Sequence, residues 1–240
     1  MRWLQQVSRM GRLMGEFETI EAGGTTPRLY LAGERDPDSP GVVVFHPWWG
    51  LNDDVIAYVD RLATAGFEVA APDMFGGQVA STVEDAERLV RSADEAAIDA
   101  IVLAAADRVA DRVGPTALLG ALGFSFGAHW AMWLPTERDR GAASVVYYGT
   151  TGGSVLTDAR VPVLGHFAEN DPYETAEGVA EFETALRSAG RDVDIQQYPG
   201  SGHWFAEPSR DAYRPDAANL AFDRTVAFLR THLESGPAAE

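Results

Sequence analysis

Leu118-Leu119-Gly120-Ala121-Leu122-Gly123-Phe124-Ser125-Phe126-Gly127-Ala128-His129-Trp130-Ala131-Met132-Trp133-Leu134 decides how the rest of the chain is read. Residues 118–122 are an apolar run of strand length, and residues 128–134 have the composition of a helix. The five residues between them must turn the chain sharply. A serine on such a strand-to-helix turn is forced into strained backbone angles, and its hydroxyl projects above the edge of the sheet. Glycine is needed two residues before and two after, because a side chain at either place would collide as strand and helix close up. Ser125 is therefore the candidate nucleophile. The alternative is a glycine-rich turn whose serine merely caps a helix.

Working outward, apolar β-branched runs alternate with helical patterns on both sides of the turn. The runs are residues 41–45, 67–71, 117–122, 143–147, 161–167 and 193–198. Short apolar strands without clean alternation are strands covered on both faces, as in a parallel sheet flanked by helices. An earlier pair, residues 17–20 and 28–31 around Gly23-Gly24, is expected to form an antiparallel edge hairpin. Asn52-Asp53-Asp54 can cap a helix that runs toward Ala65 and stops at Gly66. Residues 84–113 carry Ala86, Leu89, Val90, Ala93, Ala97, Ile98, Ile101 and Val102 at helical spacing and read as one helix ended by Gly114-Pro115. Residues 175–188 and 214–233 read as helices as well. The expectation is an α/β protein, with about six parallel strands between helices and a single domain over residues 16–234. Residues 1–15 are expected to be a lead-in, disordered or helical, with initiation at Met10 or Met14 as the alternative. Residues 235–240 are expected to be a flexible tail.

The 240 residues, 46% of them hydrophobic, suffice for one buried core. No apolar run approaches the roughly 18 residues a membrane span needs, so a soluble chain is expected. Thirty-six acids against 19 bases give a net charge of −17, which disfavours nucleic acid and anionic membranes as partners. Every base is arginine. Without lysine there is no Schiff-base lysine, pyridoxal-phosphate anchor or phosphate-loop lysine. Without cysteine there are no disulfides, thiolate catalysis, zinc fingers or iron–sulfur ligation. Residues 1–14 lack the apolar stretch of a secretory signal, so no targeting peptide is expected. Gly120-Ala121-Leu122-Gly123 lacks the G-x-G-x-x-G spacing of a dinucleotide-binding loop.

A serine hydroxyl is a poor nucleophile until a base takes its proton, and the base needs an acid to hold its tautomer. His203, in the turn Gly200-Ser201-Gly202-His203-Trp204-Phe205 after a late strand, is the candidate base. His46 and His166 end strands at the same edge and are expected to be structural neighbours. His129 is expected to pack or cap, and His232 to be solvated. Asp171, in Glu169-Asn170-Asp171-Pro172, is the candidate acid, ahead of Asp158 and Asp194. The order Ser125, Asp171, His203 is that of an α/β-hydrolase triad. The oxyanion would take the backbone N–H of Phe126 and a second N–H from Trp48 or Trp49, Trp48 preferred.

With these residues in place, the chain resembles the dienelactone hydrolase family of the α/β-hydrolase superfamily over residues 17–233. The resemblance rests on Pro47-Trp48-Trp49-Gly50-Leu51-Asn52, Ala71-Pro72-Asp73-Met74-Phe75, the Ser125 turn, Tyr147-Tyr148-Gly149, the Asp171 loop and Gly202-His203-Trp204-Phe205. It implies an α/β-hydrolase fold and cleavage of esters or lactones without metal or organic cofactor, usually in the cytoplasm. The sequence departs from the family in three places. Well-studied members carry cysteine where this chain has Ser125, and a thiol-tuning glutamate where it has Pro47. Dienelactone-specific members carry an arginine where Glu207 stands, and a charged Glu207 would repel a carboxylate. Arg210, Arg88 or Arg91 could compensate, though each reads more simply as a solvated charge. Trp48, Trp49, Phe124, Phe126 and Trp204 are expected to wall the pocket, and Trp130 and Trp133 to belong to the core. The expected partner is a small neutral or aromatic ester or lactone, met by a monomer or homodimer. Acyl transfer or peptide cleavage on the same triad, or a non-catalytic binding protein on the same fold, are the alternatives.

Overall fold

A computed structural model describes residues 15–234. Its frame is one eight-stranded sheet in the order β1-β2-β4-β3-β5-β6-β7-β8. The strands are β1 (Glu16–Thr19), β2 (Arg28–Ala32), β3 (Gly41–Phe45), β4 (Glu68–Pro72), β5 (Leu119–Phe124), β6 (Gly141–Tyr147), β7 (Val163–Asn170) and β8 (Val193–Gly202). β1 and β2 form the expected antiparallel hairpin, and β2 joins β4 antiparallel. The remaining pairings, from β4 through β8, are parallel.

Among the described residues seven helices cover the sheet: α1 (Asp53–Thr64), α2 (Val83–Ser92), α3 (Glu95–Ala110), α4 (Ala128–Glu137), α5 (Ser154–Asp158), α6 (Ala176–Ser188) and α7 (Pro215–Leu233). β3 shows why both faces are apolar. Val43 and Phe45 enter the core under α2 to α6, while Val42 and Val44 enter the core under α1 and α7. Successive strand residues point to opposite faces, so a strand covered on both sides cannot alternate with polar residues. A fully buried side chain such as Leu62 on α1 contributes about 2–3 kcal/mol through this burial.

Local capping sets the helix ends. Asn52 caps α1 by accepting from Val55 N–H at 3.1 Å, as its sequence position suggests. The single helix expected over residues 84–113 is two helices instead. Ala93 turns extended (ψ 135°), and the Asp94 side chain accepts from the N–H groups of Ala96 and Ala97, which starts α3 afresh. Apolar spacing continues across this break, so periodicity alone cannot show it. β5 also runs two residues past the expected end, to Phe124. Neither the expected lead-in, beyond Gly15, nor the tail at 235–240 lies within the described residues. Among those residues no helix is long and apolar enough to cross a membrane.

Because β3 and β5 to β8 are parallel, their C-terminal ends share one edge of the sheet. The loops after them therefore converge there.

Candidate active site

Ser125 follows the last residue of β5 and opens a single 3-10 turn, Ser125–Gly127, that leads into α4. Its φ is +47°, a left-handed backbone that a residue with a Cβ adopts at a cost of about 1–2 kcal/mol. The flanking glycines make the turn possible. A Cβ on Gly123 would run into the carbonyl of Gly127, and one on Gly127 into the carbonyl oxygens of Phe45 and His46. The elbow is thus pressed against the end of β3. Tyr148 (φ +37°) and Trp204 (φ +68°) are strained in the same way, so three of the four left-handed non-glycine residues described lie around Ser125.

The structure brings Ser125, His203 and Asp171 together from the ends of β5, β8 and β7. Ser125 Oγ lies 3.0 Å from His203 Nε2, and His203 Nδ1 lies 2.7 Å from Asp171 Oδ2. A carboxylate only accepts, so Nδ1 donates to it and Nε2 is left to accept from the serine hydroxyl. Asp171 is itself held, because its other oxygen accepts the backbone N–H groups of Tyr173 (2.9 Å) and Glu174 (3.0 Å). The side chains of His203 and Asp171 are 4% and 1% exposed, which shields the pair from water.

The other histidines have different surroundings. His46 is fully buried, accepts from Met74 N–H at 3.1 Å through Nε2 and donates to Pro47 O at 2.7 Å through Nδ1. Burial pushes it down to about 4. His166 lies between Tyr198 Oη (2.8 Å) and Thr225 Oγ1 (3.0 Å), and burial pushes it down to about 3. Both stay neutral near pH 7. His129 Nδ1 meets Thr151 Oγ1 at 3.0 Å. His232 is half-buried with its ring 4.5 Å from that of Phe228, so it is packed more than solvated.

Beside the Ser125–His203 pair stands an aromatic wall. Trp49 packs on Trp48 and Trp204, with ring centroids 5.4 and 5.3 Å away. Tyr173, not singled out in the sequence, joins Trp48 and Trp204 at 5.5 Å each and lies tilted against the His203 ring at 4.8 Å. Its only sequence signal is its place two residues after Asp171. Phe126 lines a cleft of about 260 Å³ with Val90, Ala93, Glu95, Ile98, His129 and Trp130. Trp130 is otherwise buried as expected and bonds Asp99 through its indole N–H at 2.9 Å. Trp133 is partly buried against the same core.

Two of the expected pocket residues are buried, and they share a small cavity with Asp54, Val55, Tyr58 and Ala206. Phe124, still within β5, packs on Tyr58 and Tyr147 in the core under α1 and α7. Glu207 is buried at 2% exposure and accepts from Tyr148 Oη at 2.9 Å. Burial pushes its carboxyl up to about 8, so near neutrality it offers substrate no full negative charge. Arg210 lies 3.9 Å from Glu207 with its guanidinium 3.7 Å above Trp49. Arg88 and Arg91 are exposed and paired with Asp85 and Glu87 on their own helix. Among the described residues, no group of three or more His, Cys, Asp or Glu could hold a metal ion.

A mostly parallel sheet with a serine elbow after its central strand, and Asp and His on the loops of the next strands, defines the α/β-hydrolase fold. Solved structures agree in fold. A provisionally named dienelactone hydrolase from Klebsiella pneumoniae subsp. pneumoniae MGH 78578 superposes with a TM-score of 0.82 at 22% identity, covering 91% of this chain and 98% of that one. A dienelactone hydrolase-like promiscuous phosphotriesterase from metagenomic libraries gives 0.80 at 20% identity, with the same coverage. In sequence, the usf protein of Aquifex pyrophilus is 31% identical over 231 residues, 92% of this chain and 100% of the relative. A protein of Aquifex aeolicus (strain VF5), provisionally named carboxymethylenebutenolidase, is 30% identical over 234 residues, again 92% and 100%. Residues 28–233 match the model of the dienelactone hydrolase family, and the chain belongs to that family.

Proposed function

We propose that the chain is a serine hydrolase of carboxylic esters or lactones, working through Ser125, His203 and Asp171. The observation that carries this reading is the unbroken hydrogen-bonded chain from Ser125 Oγ through His203 to Asp171, mounted on a strained turn. His203 Nε2 takes the hydroxyl proton as Ser125 Oγ bonds to the carbonyl carbon, and Asp171 stabilises the imidazolium. The carbonyl oxygen becomes an oxyanion facing two backbone N–H groups. Phe126 supplies one, since the first amides of a helix have no intrahelical acceptor. Trp48 supplies the other. As the tetrahedral centre collapses, the alkoxide leaves with the proton from His203. In a lactone that alcohol stays tethered to the acyl group. Water then attacks the acyl-enzyme, giving its proton to His203, and the acid departs as Ser125 Oγ regains that proton.

Family membership and the lactone-cleaving name of the Aquifex aeolicus relative support ester or lactone carbonyls as the substrate class. The aromatic wall, which reaches His203 through Tyr173, suits an apolar or aromatic substituent on the substrate. The test is hydrolysis of p-nitrophenyl acetate and of a neutral enol lactone by the wild type and by Ser125→Ala. The expected result is turnover of both by the wild type alone. Equal rates for the two proteins would refute the reading.

A further inference from the structure

We propose that His46 is a positioning residue for the oxyanion site, fixing the Pro47–Trp48 peptide so that the Trp48 N–H faces the reacting carbonyl. This rests on the hydrolase reading and adds a residue to it.

The argument begins with the tautomer. A backbone N–H can only donate and a backbone carbonyl can only accept. Met74 N–H therefore makes His46 Nε2 an acceptor, and Pro47 O makes Nδ1 a donor. One neutral form of the ring satisfies both, and full burial keeps the ring neutral. The second step is peptide geometry. The carbonyl of Pro47 and the N–H of Trp48 belong to one planar unit and point in opposite directions. Pro47 O receives two donors, His46 Nδ1 at 2.7 Å and Gly50 N–H at 3.1 Å. With its oxygen held from two sides the peptide cannot rotate, and the direction of the Trp48 N–H is set. No described residue accepts that N–H. Hydrogen bonds to a carbonyl also polarise the N–H of the same amide and strengthen it as a donor. The third step is placement. A Cβ on Gly127 would meet the carbonyl oxygens of Phe45 and His46, so the elbow abuts the chain immediately before the Pro47–Trp48 peptide, and the proposal is that the Trp48 N–H faces the same carbonyl as the Phe126 N–H. His46 is anchored in turn. Its ring lies 4.9 Å from Phe75, and the Met74–Gly77 loop is tied by Asp73, which accepts from Phe75 N–H at 3.1 Å and Gly77 N–H at 2.6 Å.

Two substitutions separate the two ring nitrogens. His46→Asn keeps a donor at the Nδ1 position, and His46→Gln keeps an acceptor near the Nε2 position without the Nδ1 donor. The proposal expects His46→Gln to lose about 10- to 100-fold in kcat on p-nitrophenyl acetate with KM within about twofold, as for a weakened oxyanion donor. It expects His46→Asn to retain kcat within about threefold of wild type. A boronic acid, which forms a tetrahedral adduct on the serine, should bind less tightly to the Gln variant in the same proportion. Equal kcat in the two variants, or a greater loss in Asn than in Gln, overturns the proposal while leaving the hydrolase reading intact. A wild type that neither hydrolyses the ester nor forms the adduct removes both. Should the variants fold poorly, the unmodified protein labelled with 15N-tryptophan decides. The Trp48 amide proton must move strongly downfield when the boronate forms, and an unmoved resonance overturns the proposal.

Discussion

The chain from Ser125 to Asp171 and the aromatic wall beside it occupy the same edge of the sheet but treat polar atoms in opposite ways. In the first, each side-chain polar group has a partner, and Asp171 has three. In the second, the indole N–H groups of Trp48, Trp49 and Trp204 are buried without one, as are Ser201 Oγ, Glu207 Oε2 and Arg210 Nε. Among the described residues, all the buried side-chain polar atoms without a hydrogen bond lie at residues 48–49 and 201–210. Arg210 and Glu207 lie 3.9 Å apart, and the Arg210 guanidinium also covers the Trp49 ring. The contrast separates an ordered apparatus, in which every polar group is paired, from an aromatic wall whose buried polar atoms are not.

Three substitutions probe that contrast, the largest effect first. Asp171→Asn leaves His203 without the acceptor that sets its tautomer and should lower kcat about 10³–10⁴-fold with little change in thermal stability. A loss under tenfold, measured on p-nitrophenyl acetate, would deny the ordered region its role. Ser125→Gly removes activity but relaxes the +47° φ, a strain of about 1–2 kcal/mol set against about 0.5–1 kcal/mol of glycine chain entropy. Urea unfolding should show stability held, or raised by up to about 1.5 kcal/mol. A clear fall would mean that the turn is not strained.

The smallest effect concerns Glu207 and shows as a pH profile. Its folded carboxyl keeps a proton up to about pH 8 that the unfolded chain releases near its ordinary 4.5. Its stabilising contribution is thus complete below about 4.5 and is lost as pH rises through 8. His46 and His166 act in the opposite sense. Their folded forms lack protons that the unfolded chain binds below 6.5, so stability falls as pH drops from there toward 4 and 3. Glu207→Gln should flatten the loss of melting temperature between pH 5 and 8 and leave the acid limb unchanged. Parallel curves for variant and wild type across that window would show that Glu207 is already ionised.

Much of this was legible in the sequence, and the limits have physical causes. The elbow is readable because sterics allow glycine alone at Gly123 and Gly127, and the strands because double burial excludes polar residues from them. The break at Ala93–Asp94 is hidden because apolar spacing runs through it. The burial of Phe124 is not readable because the elbow motif does not say where β5 stops. Glu207 reads as a charge because sequence position carries no burial, and burial is what keeps it protonated. Tyr173 and the bonds of His46 depend on loops more than a hundred and nearly thirty residues from their partners Trp48 and Met74, respectively. Such distances leave no local signal.

The most direct test of the account is labelling of the folded wild type with a fluorophosphonate, followed by mass mapping, with Ser125→Ala alongside. The account predicts one adduct on Ser125 and none on the variant. An unlabelled Ser125 in folded protein that also fails to hydrolyse p-nitrophenyl acetate would contradict it.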